Sequence, residues 1–526
     1  MEHHDHRPHI DFKDGVYHLF VDGKPFIILG AELTPSSSTS SVFMSTLWGK
    51  MKAMHANTAF IAVSWEFVEH EEGQFDFSVV EQIIKQARHH RIKVVLQWFG
   101  SLKGGQLDSI SDHVPAWVKL DNVRFPKMYI RREVLDDDGD VVGTALQLTD
   151  SMSLFRSQLA AFEQRAVRAF AQHVQSVDGQ FETVIMVQMG GKIGTVREYR
   201  DVSAAATEAY EQGVPWDFVR YMQSCGSAID ETQTYGWDAF GHNDNDGEQG
   251  FMTYHLAKHI EILCKIAKCE HNIPIFTDVV FADVNGLGTS ATPAKRVALW
   301  KAFAPSLDLL AVRMVNQPYE ETCERWGATF AQPLMILSHP QGDGNIQKTW
   351  SALGTHGGIG VAVDNIESMD LGTSRVPKQY QQIAQLQPLL LRVRHDGKAI
   401  LGFAYPAVAA GRTNIVKTTW GSFELVIERL ERGGFKGPAA GFVVDEGDGK
   451  VLAVGYGYQI KAAATASDVV LTRVLRFTKK GMMDMDAGTL LDLRHFSAEE
   501  TKGGRVAGMQ ASQLIIAEAH FYTLLE

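Results

Sequence analysis

Two stretches of this chain place reactive side chains at the end of an apolar run. In Thr183-Val-Ile-Met-Val-Gln-Met-Gly-Gly-Lys-Ile-Gly194 a buried-strand pattern over residues 183–188 opens into a glycine-loosened loop carrying Lys192. In Gln332-Pro-Leu-Met-Ile-Leu-Ser-His339 a similar run ends in Ser338 and His339. A lysine so placed can donate a hydrogen bond to a developing oxyanion, stabilise an enolate or form a Schiff base. A histidine titrates near neutral pH and serves as general acid or base. Lys192, Ser338 and His339 are therefore the catalytic candidates. Other polar residues end or closely follow further apolar runs: Glu32, Trp65, Glu66, Trp98, Gln188, Asp278, Arg313 and Asp364. Carboxylates grip hydroxyls and indoles stack on the apolar faces of pyranose rings, so these eight are the candidate binding residues for a sugar-like or other oxygenated small molecule. The plainer alternative is that several are salt-bridged or cap loops.

Residue types act only where elements hold them. Apolar runs over 26–30, 57–66, 92–98, 183–188, 273–278, 307–313, 332–339 and 357–364 read as strands, and helical stretches alternate with most of them. Near-continuous apolar strands are the mark of a parallel sheet buried on both faces. Eight of them alternating with helices predict a (β/α)8 TIM barrel, whose chemistry sits at the C-terminal strand ends. A doubly wound sheet is the rival, and no GxGxxG follows an early strand to support it. Long excursions interrupt the pattern at 99–154 and 195–250, and both read as irregular. A β-hairpin turning at Asp22-Gly23 precedes the first strand. From about residue 393 short alternating segments with glycine turns predict an all-β, sandwich-like C-terminal domain. The expected division is 1–15 as a disordered His-rich tail, 16–392 as the barrel and 393–526 as the β domain.

Composition sets outer bounds. The 526 residues are 45% hydrophobic and 21% charged, as in ordinary globular proteins. A net charge of −12 argues against nucleic acid or an anionic membrane surface as partner. The four cysteines lack CxxC spacing and read as free thiols. The polar N-terminus lacks the apolar core of a signal peptide, and no apolar run is long enough to span a membrane, so a cytoplasmic location is expected. No metal site or cofactor is indicated; the acidic stretch 241–248 lacks the spacing of an EF-hand and reads as a solvated loop. Homo-oligomerisation is left open.

Several motifs resemble glycoside hydrolase family 35: Gly30-Ala-Glu-Leu33, Ser64-Trp-Glu-Phe-Val-Glu-His-Glu-Glu-Gly-Gln-Phe-Asp-Phe77, Leu96-Gln-Trp-Phe-Gly-Ser-Leu-Lys103, Pro115-Ala-Trp-Val-Lys119 with Arg124-Phe-Pro126, and residues 360–368. More narrowly, the chain from about residue 16 onward is similar to the microbial β-galactosidase branch in which a β domain follows the barrel. The resemblance implies a barrel of retaining-galactosidase ancestry. It also locates departures. The family's acid/base pattern, like Val-Glu-Asn-Glu-Ile-Gly, falls on Met189-Gly-Gly-Lys-Ile-Gly194, which puts Lys192 at the acid/base position and Gly191 at its asparagine. The nucleophile pattern, like Pro-Leu-Phe-Ile-Pro-Glu-Ala, falls on residues 333–339, which puts Ser338 at the nucleophile. Arg313-Met-Val315 replaces an Asp-Ile-Tyr, Asp278 an asparagine, and Asp364 an apolar residue.

A retaining glycosidase needs two carboxyl groups about 5–5.5 Å apart. Lysine, with an ordinary pKa of about 10.4, is a weak acid for a glycosidic oxygen, and serine without a base is a weak nucleophile. Ordinary β-galactoside hydrolysis is therefore not expected. Three readings follow: a barrel repurposed for a non-hydrolytic cyclisation, isomerisation or elimination on an oxygenated small molecule, as in secondary metabolism; a non-catalytic carbohydrate-binding pseudoenzyme; or a glycosidase with relocated carboxylates drawn from Glu32, Glu66, Glu69, Asp278 and Asp364.

Overall fold

The computed structural model describes residues 6–103, 113–136, 139–155, 158–191, 200–227, 229, 233–240, 244–279, 293–314, 318–342, 345–406, 415–430, 437–465, 469–483, 490–509 and 514–525. Its centre is a closed barrel of eight parallel strands: Ile28–Glu32, Thr58–Ser64, Lys93–Lys103, Val184–Gly191, Ile275–Val279, Leu309–Arg313, Met335–Leu337 and Gly360–Val363, in that order around the ring. The ring closes where Gly360 pairs with Ile28.

Side chains alternate across each strand, and the two faces form two cores. Ile28, Phe60, Val95, Met186, Phe276, Leu309, Ala311, Met335, Leu337 and Ala362 form the inner one. Their neighbours Leu29, Ile61, Val94, Leu96, Val187, Ile275, Val312, Ile336 and Val361 pack outward against the helices. Gly30 keeps the inner layer from overfilling, because a Cβ there would lie 2.6 Å from the Phe60 ring.

The N-terminus corrects one expectation. Residues 9–13 are a strand, His9–Lys13, paired antiparallel with Val16–Val21, and not part of a disordered tail. The His9 ring stacks on Phe20 at 4.8 Å, and Ile10 packs against the inner barrel core together with Leu19 and Val21. The meander thus plugs the N-terminal end of the barrel. Residues 1–5 lie outside the described residues.

The excursions are also more ordered than expected. The first contains an antiparallel ribbon, Lys127–Leu135 with Val141–Met152. The second contains helices Ala204–Glu211 and Trp216–Ser224. Helix Asp244–Glu270 then begins inside the acidic stretch that reads as a solvated loop.

The C-terminal region is a sandwich of a six-stranded and a four-stranded sheet. Along Ala439–Gly447 the alternation assigns Val443 to the sandwich core, while Phe442 and Val444 join the barrel's outer core. Trp350, on helix Thr349–Gly354, packs on Phe442 with ring centroids 4.7 Å apart. Among the described residues no helix is long and apolar enough to cross a membrane. The four cysteines are free thiols, with Cys264 and Cys323 buried.

Candidate active site

The C-terminal strand ends present an inward polar layer directly above the apolar one. Glu32 ends the first strand two residues beyond Gly30, Gln97 lies two beyond Val95, Gln188 two beyond Met186, Asp278 two beyond Phe276 and Arg313 two beyond Ala311. All five are buried, and hydrogen bonds join them.

Arg313 is the hub. Its Nε donates to Asp278 Oδ2 at 2.6 Å, one terminal nitrogen to Glu32 Oε1 at 2.8 Å and the other to Ser338 Oγ at 2.6 Å. The backbone N–H of Ser338 donates to Glu32 Oε2 at 3.3 Å. Gln188 Nε2 donates to Asp278 Oδ1 at 2.6 Å, and Gln97 Nε2 to Gln188 Oε1 at 2.7 Å. Burial alone would lower the affinity of Arg313 for its proton; the Glu32 and Asp278 carboxylates outweigh that and raise it, so the guanidinium is charged. Ser338 adopts a φ of 47°, a left-handed conformation costly for a side chain with a Cβ, and it does so at the end of a barrel strand.

The network explains the glycine at 191. A Cβ there would come within 3.0 Å of Gln188 Nε2 and 3.2 Å of Asp278 Oδ1. The Gln188–Asp278 bond occupies the space a larger side chain would need.

Glu32, Gln188, Asp278, Arg313 and Ser338 are thus brought together, while other candidates are not. Lys192 lies outside the described residues. Trp65 and Trp98 are corrected from ligand platforms to core residues: both are fully buried in the outer, helix-facing layer. The Trp65 indole donates to Glu69 at 2.6 Å, and that of Trp98 to Glu163 at 3.3 Å. His339 is likewise corrected. It is buried behind the seventh strand, where its Nδ1 donates to the Pro340 carbonyl at 3.0 Å and its Nε2 accepts from Tyr319 at 2.9 Å. Desolvation pushes its pKa down to about 4, so it is neutral and committed to the helix layer. Glu66 is ion-paired with Lys119 at 3.0 Å, and Asp364 accepts from Gln341 at 3.3 Å just beyond the eighth strand.

One pair escaped the sequence reading. Ser64, ending the second strand, lies 2.7 Å from His113 Nδ1, and Glu66 Oε1 is 3.6 Å from the same nitrogen. Both Ser64 and His113 are buried. Ser64 is the N-cap of helix Trp65–Val68, yet its hydroxyl makes no capping bond and goes to the imidazole instead. The two residues are 49 positions apart. The signal available in the sequence was a serine at a strand end, where a hydroxyl is free to leave the helix start for another partner.

Among the described residues no group of three or more His, Cys, Asp or Glu is arranged to hold a metal. A cleft of about 1280 Å3 is lined by Tyr17, Gln332, Glu320, His356, Arg394 and Lys398. It borders the lead-ins to the seventh and eighth strands, at the barrel's N-terminal end, away from the strand ends where barrel chemistry sits.

Architecture and site define a closed (β/α)8 barrel carrying a C-terminal β domain. A protein-family profile described as "Domain of unknown function (DUF5597)" matches residues 376–507, from the last barrel helix through most of the sandwich. Curated protein sequences return no match. Solved structures similar to the chain include a β-galactosidase, a β-amylase and a β-mannanase. A β-galactosidase of Bacillus circulans sp. alkalophilus is 9% identical, with 94% of this chain and 99% of that one covered and a TM-score of 0.49. The catalytic domain of a β-amylase of Paenibacillus polymyxa is 13% identical over 64% of this chain and 92% of that one, TM-score 0.44. A β-mannanase of the blue mussel Mytilus edulis is 8% identical over 72% and 96%, TM-score 0.42.

Proposed function

We propose that this glycoside-hydrolase-like barrel holds an oxygenated, hydroxyl-bearing small molecule at its mouth and acts on it by proton transfer, in a cyclisation, isomerisation or elimination, without hydrolysing a glycosidic bond. The observation that carries this reading is Arg313. Retaining hydrolysis requires one carboxylate facing the anomeric carbon and a second carboxyl facing the leaving oxygen. The inward carboxylates at the described strand ends, Glu32 and Asp278, both direct oxygens at one guanidinium. Of the other carboxylates considered as replacements, Glu69 is bound by Trp65, the Gly73 N–H and Arg165, and Glu66 by Lys119.

Proton-transfer groups remain. In the proposed mechanism Ser64 gives its hydroxyl proton to His113 while accepting one from the ligand, and Glu66 steadies the imidazolium. Ser338, polarised by Arg313, and Lys192 donate to the oxygen on which negative charge develops. The enclosure of Trp65 and Trp98 removes the sugar-stacking surfaces a carbohydrate-binding pseudoenzyme would use and favours the enzyme over that reading.

The test is a pair of measurements on the full chain. An aryl β-galactoside should release no nitrophenol, and the product profile of a producing cell should change when Ser338→Ala, Lys192→Ala or His113→Gln replaces the native chain. Nitrophenol release that disappears in Asp278→Asn would instead establish a glycosidase with relocated carboxylates.

A further inference from the structure

Polar inward positions recur at one end of the C-terminal sandwich. Two packed sheets ordinarily point apolar side chains at each other, and most inward positions here are apolar. Asp445 breaks the pattern. It lies two residues beyond Val443 on Ala439–Gly447 and pairs across the ladder with Val451, and both valines belong to the sandwich core. Its side chain therefore points between the sheets. Thr523 lies two beyond the core residue Phe521 on Ile515–Leu525 and points the same way. From the facing sheet comes Trp420, the cross-strand partner of the core residue Phe423 and itself only partly buried.

A carboxylate sealed between two sheets without a partner is costly, and here the sandwich stays open around it. The opening is a cleft of about 390 Å3 whose lining includes Trp420, Ser422, Phe423, Asp445, Phe521 and Thr523. Pockets for small ligands run from about 300 to 1,000 Å3, mostly apolar with a few convergent polar groups. The walls are tied. The Phe521 N–H donates to the Gly449 carbonyl at 2.9 Å, and the Gly447 N–H to Asp445 Oδ1 at 2.9 Å. Asp445 Oδ2 and the Trp420 indole N–H bond none of the described residues. Phe423 and Phe521, with ring centroids 6.3 Å apart, are only 9% and 2% exposed and form a covered floor.

We propose that this cleft binds a pyranose sugar. The apolar face of the ring lies on the Trp420 indole, its hydroxyls donate to Asp445 Oδ2, and Ser422 and Thr523 exchange hydrogen bonds with its edge. The combination selects this ligand chemistry. An indole beside a carboxylate and two hydroxyls matches a ring that is apolar on one face and hydroxylated around its rim. A quaternary ammonium, the other ligand that an indole and a carboxylate attract, is held by a cage of aromatic faces. Here the two phenyl rings are covered, and the indole does not form a cage with them. The cleft consists of sandwich residues alone and is independent of the reaction proposed at the barrel mouth.

Titration calorimetry on the full chain with methyl β-galactoside, methyl β-glucoside and methyl α-mannoside should show saturable, millimolar binding of at least one of them. Trp420→Ala and Asp445→Val should each weaken that binding by about tenfold or more, with the circular dichroism spectrum unchanged. Asp445→Val keeps the inward volume and carries the test if truncating the indole unfolds the sandwich. Ser338→Ala, at the barrel mouth, should bind the sugar as the wild type does. Four results would each overturn the proposal. The first is no saturable binding of any of the three glycosides. The second is binding that both sandwich variants retain. The third is binding lost in Ser338→Ala, which would place the sugar in the barrel. The fourth is choline bound in place of the glycosides and lost in Trp420→Ala, which would make the cleft a cation site.

Discussion

Arg313 organises the polar layer at the barrel mouth. A guanidinium held by two carboxylates and a serine is fixed by its own partners before any ligand arrives. Breaking a buried ion pair by removing one member costs about 3–5 kcal/mol, because the remaining charge is stranded, whereas replacing all members together is far cheaper. Arg313→Met should therefore lower unfolding stability by about 3–5 kcal/mol in urea at neutral pH, and Glu32→Gln/Asp278→Asn/Arg313→Met should recover most of it. Equal losses in both variants would mean that Arg313 acts through packing alone. The strand-end residues were legible at this scale, but their facing was not taken to its conclusion. Successive residues on a strand point to opposite faces. Gln97 and Trp98 therefore cannot both enter the mouth; alternation from the inward Leu337 would turn His339 inward and Ser338 outward, but the strand ends at Leu337 and the left-handed φ of Ser338 reverses that facing. The structure gives Gln97 and Ser338 to the network, and Trp98 and His339 to the layer behind it.

At the scale of elements, the barrel strands were readable because burial on both faces leaves apolar runs, and here those runs alternate with helices. The excursions were not. Helices Ala204–Glu211 and Trp216–Ser224 are short, flank Gly213 and Pro215, and have too few turns for periodicity to stand out. A buried carboxylate, Glu163 on helix Leu159–Asp178, ties that helix to the third strand and to helix Asp244–Glu270. It accepts from Ser101 through both hydroxyl and N–H, from Trp98, and from His259 at 3.0 Å. Burial would raise its pKa; the His259 and Ser101 bonds outweigh that and hold it below its ordinary value near 4.5. Its folded pKa is thus depressed, so its stabilisation is present above the unfolded value and is lost as pH falls through the folded one. Glu163→Gln should flatten the acid limb of the stability curve below pH 4.5 and speed amide exchange in Asp244–Glu270. An unchanged acid limb would remove Glu163 from that role.

For the whole molecule, the boundary expected at residue 393 marks a change of texture rather than a break in the core. The sandwich was foreseeable from alternation and glycine turns, but which face meets the barrel was not, because both faces of Ala439–Gly447 are apolar. Phe442, Val444, Leu452, Val454 and Tyr456 share one continuous cluster with barrel and helix residues. Gln379, on helix Val376–His395, links the two parts by accepting from the Trp350 indole at 2.9 Å and donating to the Tyr456 hydroxyl at 3.0 Å. Two bodies joined through a common apolar core unfold together, since neither can lose the other without exposing that surface. Phe442→Ala should therefore cost about 3–5 kcal/mol, the range for a buried Phe truncation, and should do so for the whole chain. Calorimetry should show one transition in the wild type, moved as a single peak to lower temperature in the variant. If the variant instead splits the transition, leaving a barrel peak at the original temperature, the β domain is an independent unit and the shared core does not bind it to the barrel.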